Sequence, residues 1–304
     1  MTEIKVIQRS IEKNSKSFSW ASKLFTKSQR RSIALLYFLC RQLDDIADSK
    51  SADSKYILNK FKRLVIEKEK PSNEESIYNN LYYAYRNLDL NREVVIHLID
   101  GLLSDQEEVR LKDEKELINY CYRVAGTVGL LMCPILGCYK KEALKFAVDL
   151  GIAMQMTNIA RDVFEDSTLN RRYLPGKWVN FITAAEIRAA GNENASINHL
   201  KIQKAISQLL SLAQQYYDSG RLGIYYLPIR SKFGIAVASN IYQDIEKQIK
   251  NKDFNWGRSR AYTTLVDKIF ATLKSVKTII SLEQNAPTHS DSLHYHLKKF
   301  RNSW

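Results

Sequence analysis

The sequence predicts an all-α protein built as a single domain of 304 residues. Three observations carry that prediction. Apolar residues recur at three- and four-residue spacings along most of the chain. No recurring alternation of apolar and polar residues marks a strand. Only 11 Gly and 5 Pro interrupt the chain, too few for a many-turned β protein. No internal repeat or low-complexity linker divides it, and this length buries a sizeable core.

Taken in order, the periodicity predicts helices over 29–48, 56–69, 75–88 after Pro71, 93–109, 114–136 and 142–166. Longer helices follow over 194–220, 228–250 and 258–282, and the polar stretch from Asn285 on is expected to be a loose tail. Gly126 and Gly129 each cost a helix about 1 kcal/mol relative to Ala. With Ala125 and Thr127 they make a small-residue patch, which lets another helix or a ligand approach the backbone.

Two of these helices carry paired acids. Asp44 and Asp48, and again Asp162 and Asp166, are four residues apart, so each pair stands about 40° apart on one helix face, one turn above the other. One such pair alone is most simply a solvated helix face. Both pairs, however, follow apolar runs, residues 33–39 and 151–160, so they continue faces that read as buried. Arg41 and Arg161 lie beside them, and Gln155 and Asn158 precede the second pair. The first pair also ends its helix, where negative charge opposes the helix dipole, and a bound cation accounts for that placement. Two pairs facing across a cavity make a cage of hard oxygen ligands suited to Mg²⁺ and, through it, to a phosphate-bearing substrate.

The net charge of +13 suits a solvated basic surface first, an anionic membrane surface second and nucleic acid last. From Lys247 to Trp304 eleven Lys and Arg face four Asp and Glu, so about half of the surplus sits in the last fifth of the chain. No zinc-finger or RNA-binding signature accompanies it, and no nucleic-acid partner is expected. The longest uncharged stretch, residues 124–139, is interrupted by Pro134 and falls short of the roughly 20 residues that span a bilayer. The N-terminus lacks the apolar core of a secretory signal, so a cytoplasmic protein, soluble or peripheral to the membrane, is expected. The four cysteines fall in apolar helical segments and are expected to be reduced and buried. None of the five histidines stands at a catalytic or metal-binding spacing from an acid or thiol, so neither a triad nor a zinc enzyme is expected.

Four segments resemble motifs of one family. Residues 15–18 resemble the short motif that opens the squalene/phytoene synthases, the head-to-head prenyl synthases. Residues 36–48 are similar to that family's first aspartate-rich motif, residues 120–129 to its central signature, and residues 155–166, continuing to 172–175, to its second signature. The order is the family's own. Departures are Ala160, Phe164 and Trp20, and the bulky Phe164 lies between the two aspartates of the second pair.

The resemblance implies an isoprenoid synthase fold, helices around a central cavity, and a prenyltransferase acting on prenyl diphosphates. It implies Asp44, Asp48, Asp162 and Asp166, with Asn158, as ligands of Mg²⁺, for which Mn²⁺ would substitute, and it places Tyr37 and Arg41 with the catalytic acids. Lys16, Arg41, Arg161 and Arg171 would hold diphosphate oxygens. Phe18, Tyr37, Tyr120 and Tyr242 would turn aromatic faces toward a carbocation. Ser17, Gly126, Thr127, Val128 and Gln155 would complete the substrate site. NADPH is not expected. The first expectation is a 15-cis-phytoene synthase joining two geranylgeranyl diphosphates through prephytoene diphosphate, in carotenoid biosynthesis. The alternatives are the same chemistry on farnesyl diphosphate, giving dehydrosqualene, presqualene diphosphate or squalene, and a non-catalytic assembly protein with this fold.

Overall fold

The computed structural model describes Trp20 and residues 24–49, 51–71, 76–192, 196–257, 264–281 and 285–304. Among these residues every named element is helical. Helix α1 (Lys27–Asp48) starts at a reciprocal cap, in which Thr26 accepts from the Gln29 amide while the Gln29 side chain accepts from the Thr26 amide. Its buried face is Ile33, Leu36, Leu39, Leu43 and Ile46, a helical spacing that ends beside the first acid pair. Helices α2 (Ser54–Glu67), α3 (Ser76–Asn87) and α4 (Arg92–Ser104) pack around it. Helix α4 stops at Ser104 rather than running on to Val109. The chain instead turns at residues 105–107 and then runs alongside the loop after the second acid pair, through Arg172 N–H to Val109 O and Leu111 N–H to Arg172 O.

The predicted helix over 114–136 is continuous in direction but not in winding. It consists of α5 (Glu114–Cys121), a π-helical turn at Tyr122–Gly126 and α6 (Thr127–Ile135). A π turn opens the ladder by one residue and commonly sits at a functional site. The turn packs closely against α7 (Lys141–Thr168). A Cβ on Gly129 would stand 2.2 Å from the Ala147 carbonyl oxygen, and one on Gly151 2.4 Å from the Ala125 oxygen. Both glycines are therefore required by a close helix crossing.

Helix α7 is the axis of the molecule. It packs along α10 (Ile197–Leu222) and touches α11 (Ile229–Asn251) as well as α6; the short α8 (Gly176–Val179) and α9 (Ala184–Ala190) close the end that carries the acids. Its own Phe146 is fully buried, as are its neighbours Tyr122, Tyr216 and Tyr217, each contributing about 1.5–3 kcal/mol by area. Helix α12 (Leu265–Ile280) packs on α11 and turns Val266, Ile269, Phe270, Leu273, Val276 and Ile280 outward. Among the described residues no helix is long and apolar enough to cross a membrane.

The segment expected to be a loose tail is not loose. Residues Asp291–Ser303 form a 3₁₀ helix whose Leu297 and Phe300 are buried in the main core, with Phe300 stacked on Tyr122 at 4.4 Å. Leu293, Leu297, Phe300 and Trp304 lie on the side that meets the core, an amphipathic stripe that outweighs the segment's polar composition.

Candidate active site

Helices α1, α6, α7, α10 and α11 enclose a cavity of about 320 Å³. On α7 its wall is Ala143, Ala147, Gly151, Met154 and Asn158, steps of three and four residues that keep one face turned inward. Asp162 and Asp166 continue this face beyond the cavity at the same step. Tyr37 from α1 and Tyr242 from α11 line the wall, as do Gln155, Val128, Val124 and Ala125. The remainder is apolar, so the interior offers a hydrocarbon chain few polar partners.

The acid pairs are joined by two residues, one of them unforeseen. Arg171, in the loop after α7, donates to Asp48 Oδ1 at 2.8 Å and also acts electrostatically on Asp166. Asp105, just beyond α4, accepts from the hydroxyls of Tyr120 and Tyr173 at 3.0 and 3.1 Å and lies within electrostatic reach of Asp44, Asp48, Asp166 and Arg171. No doublet or spacing marks Asp105 in the sequence, because its partners come from three other elements. Arg161 makes a two-pronged pair with Asp162, Nε to Oδ1 at 2.7 Å and Nη2 to Oδ2 at 2.5 Å. Arg41 pairs with Asp45 at 2.6 Å rather than with Asp44.

Negative charge exceeds its local compensation. Burial, reinforced by Asp162, pushes Asp166 up to about 8. Burial and then Asp48 raise Asp44 to about 7, although Asp44 keeps open contact with water, which screens that cost. Burial likewise raises Asp105 to about 6, against the pull of Arg171. Carboxylates crowded enough to hold protons near neutrality form a donor set that a divalent cation fits, since all are hard oxygens and their mutual repulsion is what a cation removes.

Several expected residues stand elsewhere. Gly126 and Thr127 are not among the cavity-lining residues: Gly126 faces Tyr122 and Val148, and the buried Thr127 hydroxyl donates to the Arg123 carbonyl at 2.6 Å. Val128, the next residue, is on the wall. Tyr120 is buried against Tyr173 with ring centres 4.7 Å apart, so it positions Asp105 rather than facing the cavity. Phe164, two residues from each aspartate, falls on the opposite side of α7 and packs over Gly191, leaving the acid face unobstructed. Lys16, Ser17 and Phe18 lie outside the described residues.

A helical cavity with an acid-rich mouth and an apolar barrel is the architecture of an enzyme that holds a charged head and a long hydrocarbon tail. Residues 11–267 match the squalene/phytoene synthase family. The chain belongs to that family, whose members are prenyltransferases that join two prenyl diphosphates head to head. It is 32% identical over 269 residues to a 15-cis-phytoene synthase of Enterobacter agglomerans, covering 85% of this chain and 90% of that one. It is 33% identical over 270 residues to a 4,4'-diapophytoene synthase of Staphylococcus haemolyticus, covering 86% and 92%. The fold matches a dehydrosqualene synthase crystal structure with a TM-score of 0.78, at 22% identity over 92% of this chain and 97% of that one.

Proposed function

We propose that the chain condenses two geranylgeranyl diphosphates to 15-cis-phytoene with release of diphosphate, in carotenoid biosynthesis. The observation that carries this reading is the length of the barrel. Asn158 and Ala143 bound its wall on α7, fifteen residues or about 22 Å apart. A four-isoprene tail at ordinary single-bond lengths spans roughly 20 Å and fills that length, whereas a three-isoprene tail spans roughly 15 Å and leaves its end empty. The phytoene synthase relative points the same way, while the diapophytoene synthase relative favours the second reading, the same chemistry on farnesyl diphosphate.

In this reading Asp44, Asp48, Asp162 and Asp166, with Asn158, hold Mg²⁺, and Mn²⁺ substitutes for it. The ions supply positive charge that stabilises the departing diphosphate. Among the described residues Arg171, Arg161 and Arg41, each paired with an aspartate, would hold diphosphate oxygens. Tyr37 and Tyr242 turn from opposite helices onto the cavity and offer electron-rich faces to the allylic cation, each worth about 0.5–2 kcal/mol. Gln155 and Val128 fix the tail on the wall. The dry barrel keeps water from the cation until the second double bond attacks it.

The test is an extraction assay with Mg²⁺ and either diphosphate, the hydrocarbon being identified by absorbance and mass. A forty-carbon triene from geranylgeranyl diphosphate is the expected product, and a thirty-carbon product alone overturns the choice of substrate. The outward apolar face of α12, together with the basic C-terminal fifth, supports contact with an anionic bilayer surface into which such a product would pass. Flotation of the full chain with anionic vesicles checks this; a chain that stays at the bottom of the gradient at low salt removes it.

A further inference from the structure

A second cluster of ligating side chains lies on α7 well away from the acid pairs. Asp149 stands thirteen residues before Asp162, about 20 Å along the helix axis. Its carboxylate is fully buried with no Lys or Arg paired to it among the described residues. Instead, the Nε2 atoms of His289 and His294 meet its two oxygens, at 2.8 Å on Oδ2 and 2.7 Å on Oδ1. The Ser219 hydroxyl of α10 donates to Oδ2 at 2.6 Å. The side chains of both histidines are almost wholly buried, 4% and 0% exposed, and their rings lie 4.3 Å apart.

We propose that Asp149, His289 and His294 bind one zinc ion, which fastens the C-terminal segment to α7. The ligand types are right: two imidazoles and a carboxylate are a common zinc donor set, which leaves a fourth position for a small oxygen ligand. The spacing is right as well. The three ligand atoms all lie within 4.8 Å of one another. An ion about 2.1 Å from each needs them about 3.4 Å apart, so parting the nitrogen–oxygen contacts by under an ångström makes room. A second layer is also in place, since Nδ1 of His289 faces Asp291 Oδ1 at 3.4 Å and Ser219 orients the carboxylate. His294 Nδ1 is buried without a partner, so the contact through Nε2 is what sets that ring's place. Binding moves each ring's proton from Nε2 to Nδ1, where in His289 it points at Asp291, and no redox change is involved. The site is structural, because the cavity and its acids lie elsewhere on the helix.

The histidines stand 140 and 145 residues from Asp149 in sequence, which is why no motif spacing revealed them.

The test uses the full chain, produced without a histidine tag and dialysed against metal-free buffer, with metal content measured by mass spectrometry. About one zinc per chain is expected. His289→Ala combined with His294→Ala is expected to reduce it to background, and Asp291→Asn to weaken zinc affinity by roughly tenfold or more. Asp166→Asn, in the other acid cluster, is expected to leave the zinc in place. Loading the metal-free chain with Co²⁺ gives a second readout that does not depend on how the variants fold: visible absorption of a tetrahedral nitrogen–oxygen site is expected, and octahedral-type weak absorption overturns the site. A wild-type chain that neither retains zinc nor binds it when zinc chloride is added also overturns it and leaves the cluster as a hydrogen-bonded strut. None of these measurements depends on prenyl transfer, so the site stands or falls apart from the assigned reaction.

Discussion

Asp166→Asn is expected to lower turnover by about 10³-fold while making the metal-free protein more stable at pH 8. The two effects share one cause. Burial and the Asp162 charge push the Asp166 carboxyl up to about 8, far above the roughly 3.9 of an unfolded chain. The folded state therefore binds this proton more tightly than the unfolded state does. The stabilisation it gives is complete below about pH 4 and is lost as pH climbs through about 8. Asp44, at about 7, and Asp105, at about 6, act in the same direction. The Tm of the metal-free chain should then fall between about pH 5 and pH 8, and Asp166→Asn should flatten that fall. Added Mg²⁺ should reverse the ranking, stabilising the wild type and leaving the variant behind. Thermal scans at pH 5 and pH 8, with and without Mg²⁺, alongside the extraction assay, decide the matter. Undiminished turnover, or a variant less stable than wild type in metal-free buffer at pH 8, would sink the metal cage.

Ala147→Phe should change which product is made rather than whether one is made. Ala147 lines the barrel about three turns beyond Asn158. Its Cβ leans toward the helix N-terminus, so a phenyl ring there would fill the deep end around Ala143, Cys133 and Cys138. The shortened barrel admits a three-isoprene tail and rejects the fourth unit. Forty-carbon product should fall at least tenfold, by loss of roughly 1–3 kcal/mol of tail contacts, with thirty-carbon product from farnesyl diphosphate maintained. Equal loss of both products, with the helical spectrum preserved, would show that depth at this point does not select the tail. Retention of full forty-carbon synthesis would place the end of the tail elsewhere.

The part of this protein that periodicity could reveal is the part set by local physics. Ile33, Leu36, Leu39 and Leu43 recur on one face of α1, and Asp44 and Asp48 share a face because four residues make one turn. The helices, the paired acids and the family resemblance were all open to reading on those terms. The errors fall where a distant segment overrides local preference. Helix α4 ends early where the chain turns so that Val109 and Leu111 pair with the backbone of Arg172, and that exit delivers Asp105 between the acid pairs. The π turn at Tyr122–Gly126 packs against α7, a contact that no window of sequence contains, and beyond it Val128 rather than Thr127 meets the cavity. Composition made the last twenty residues look loose, whereas Leu297 and Phe300 had a core to join and His289 and His294 a buried carboxylate.

What the sequence determined by itself was the set of helices, the two acid-bearing faces and the kind of chemistry they serve, because each depends on residues within a few turns of one another. What only the tertiary structure decided was how those faces are joined through Asp105 and Arg171, how deep the barrel runs, and where the C-terminal segment is fastened. Each of these brings together side chains that lie more than fifty residues apart along the chain, so their meeting depends on the packing of whole helices and leaves no local pattern to read.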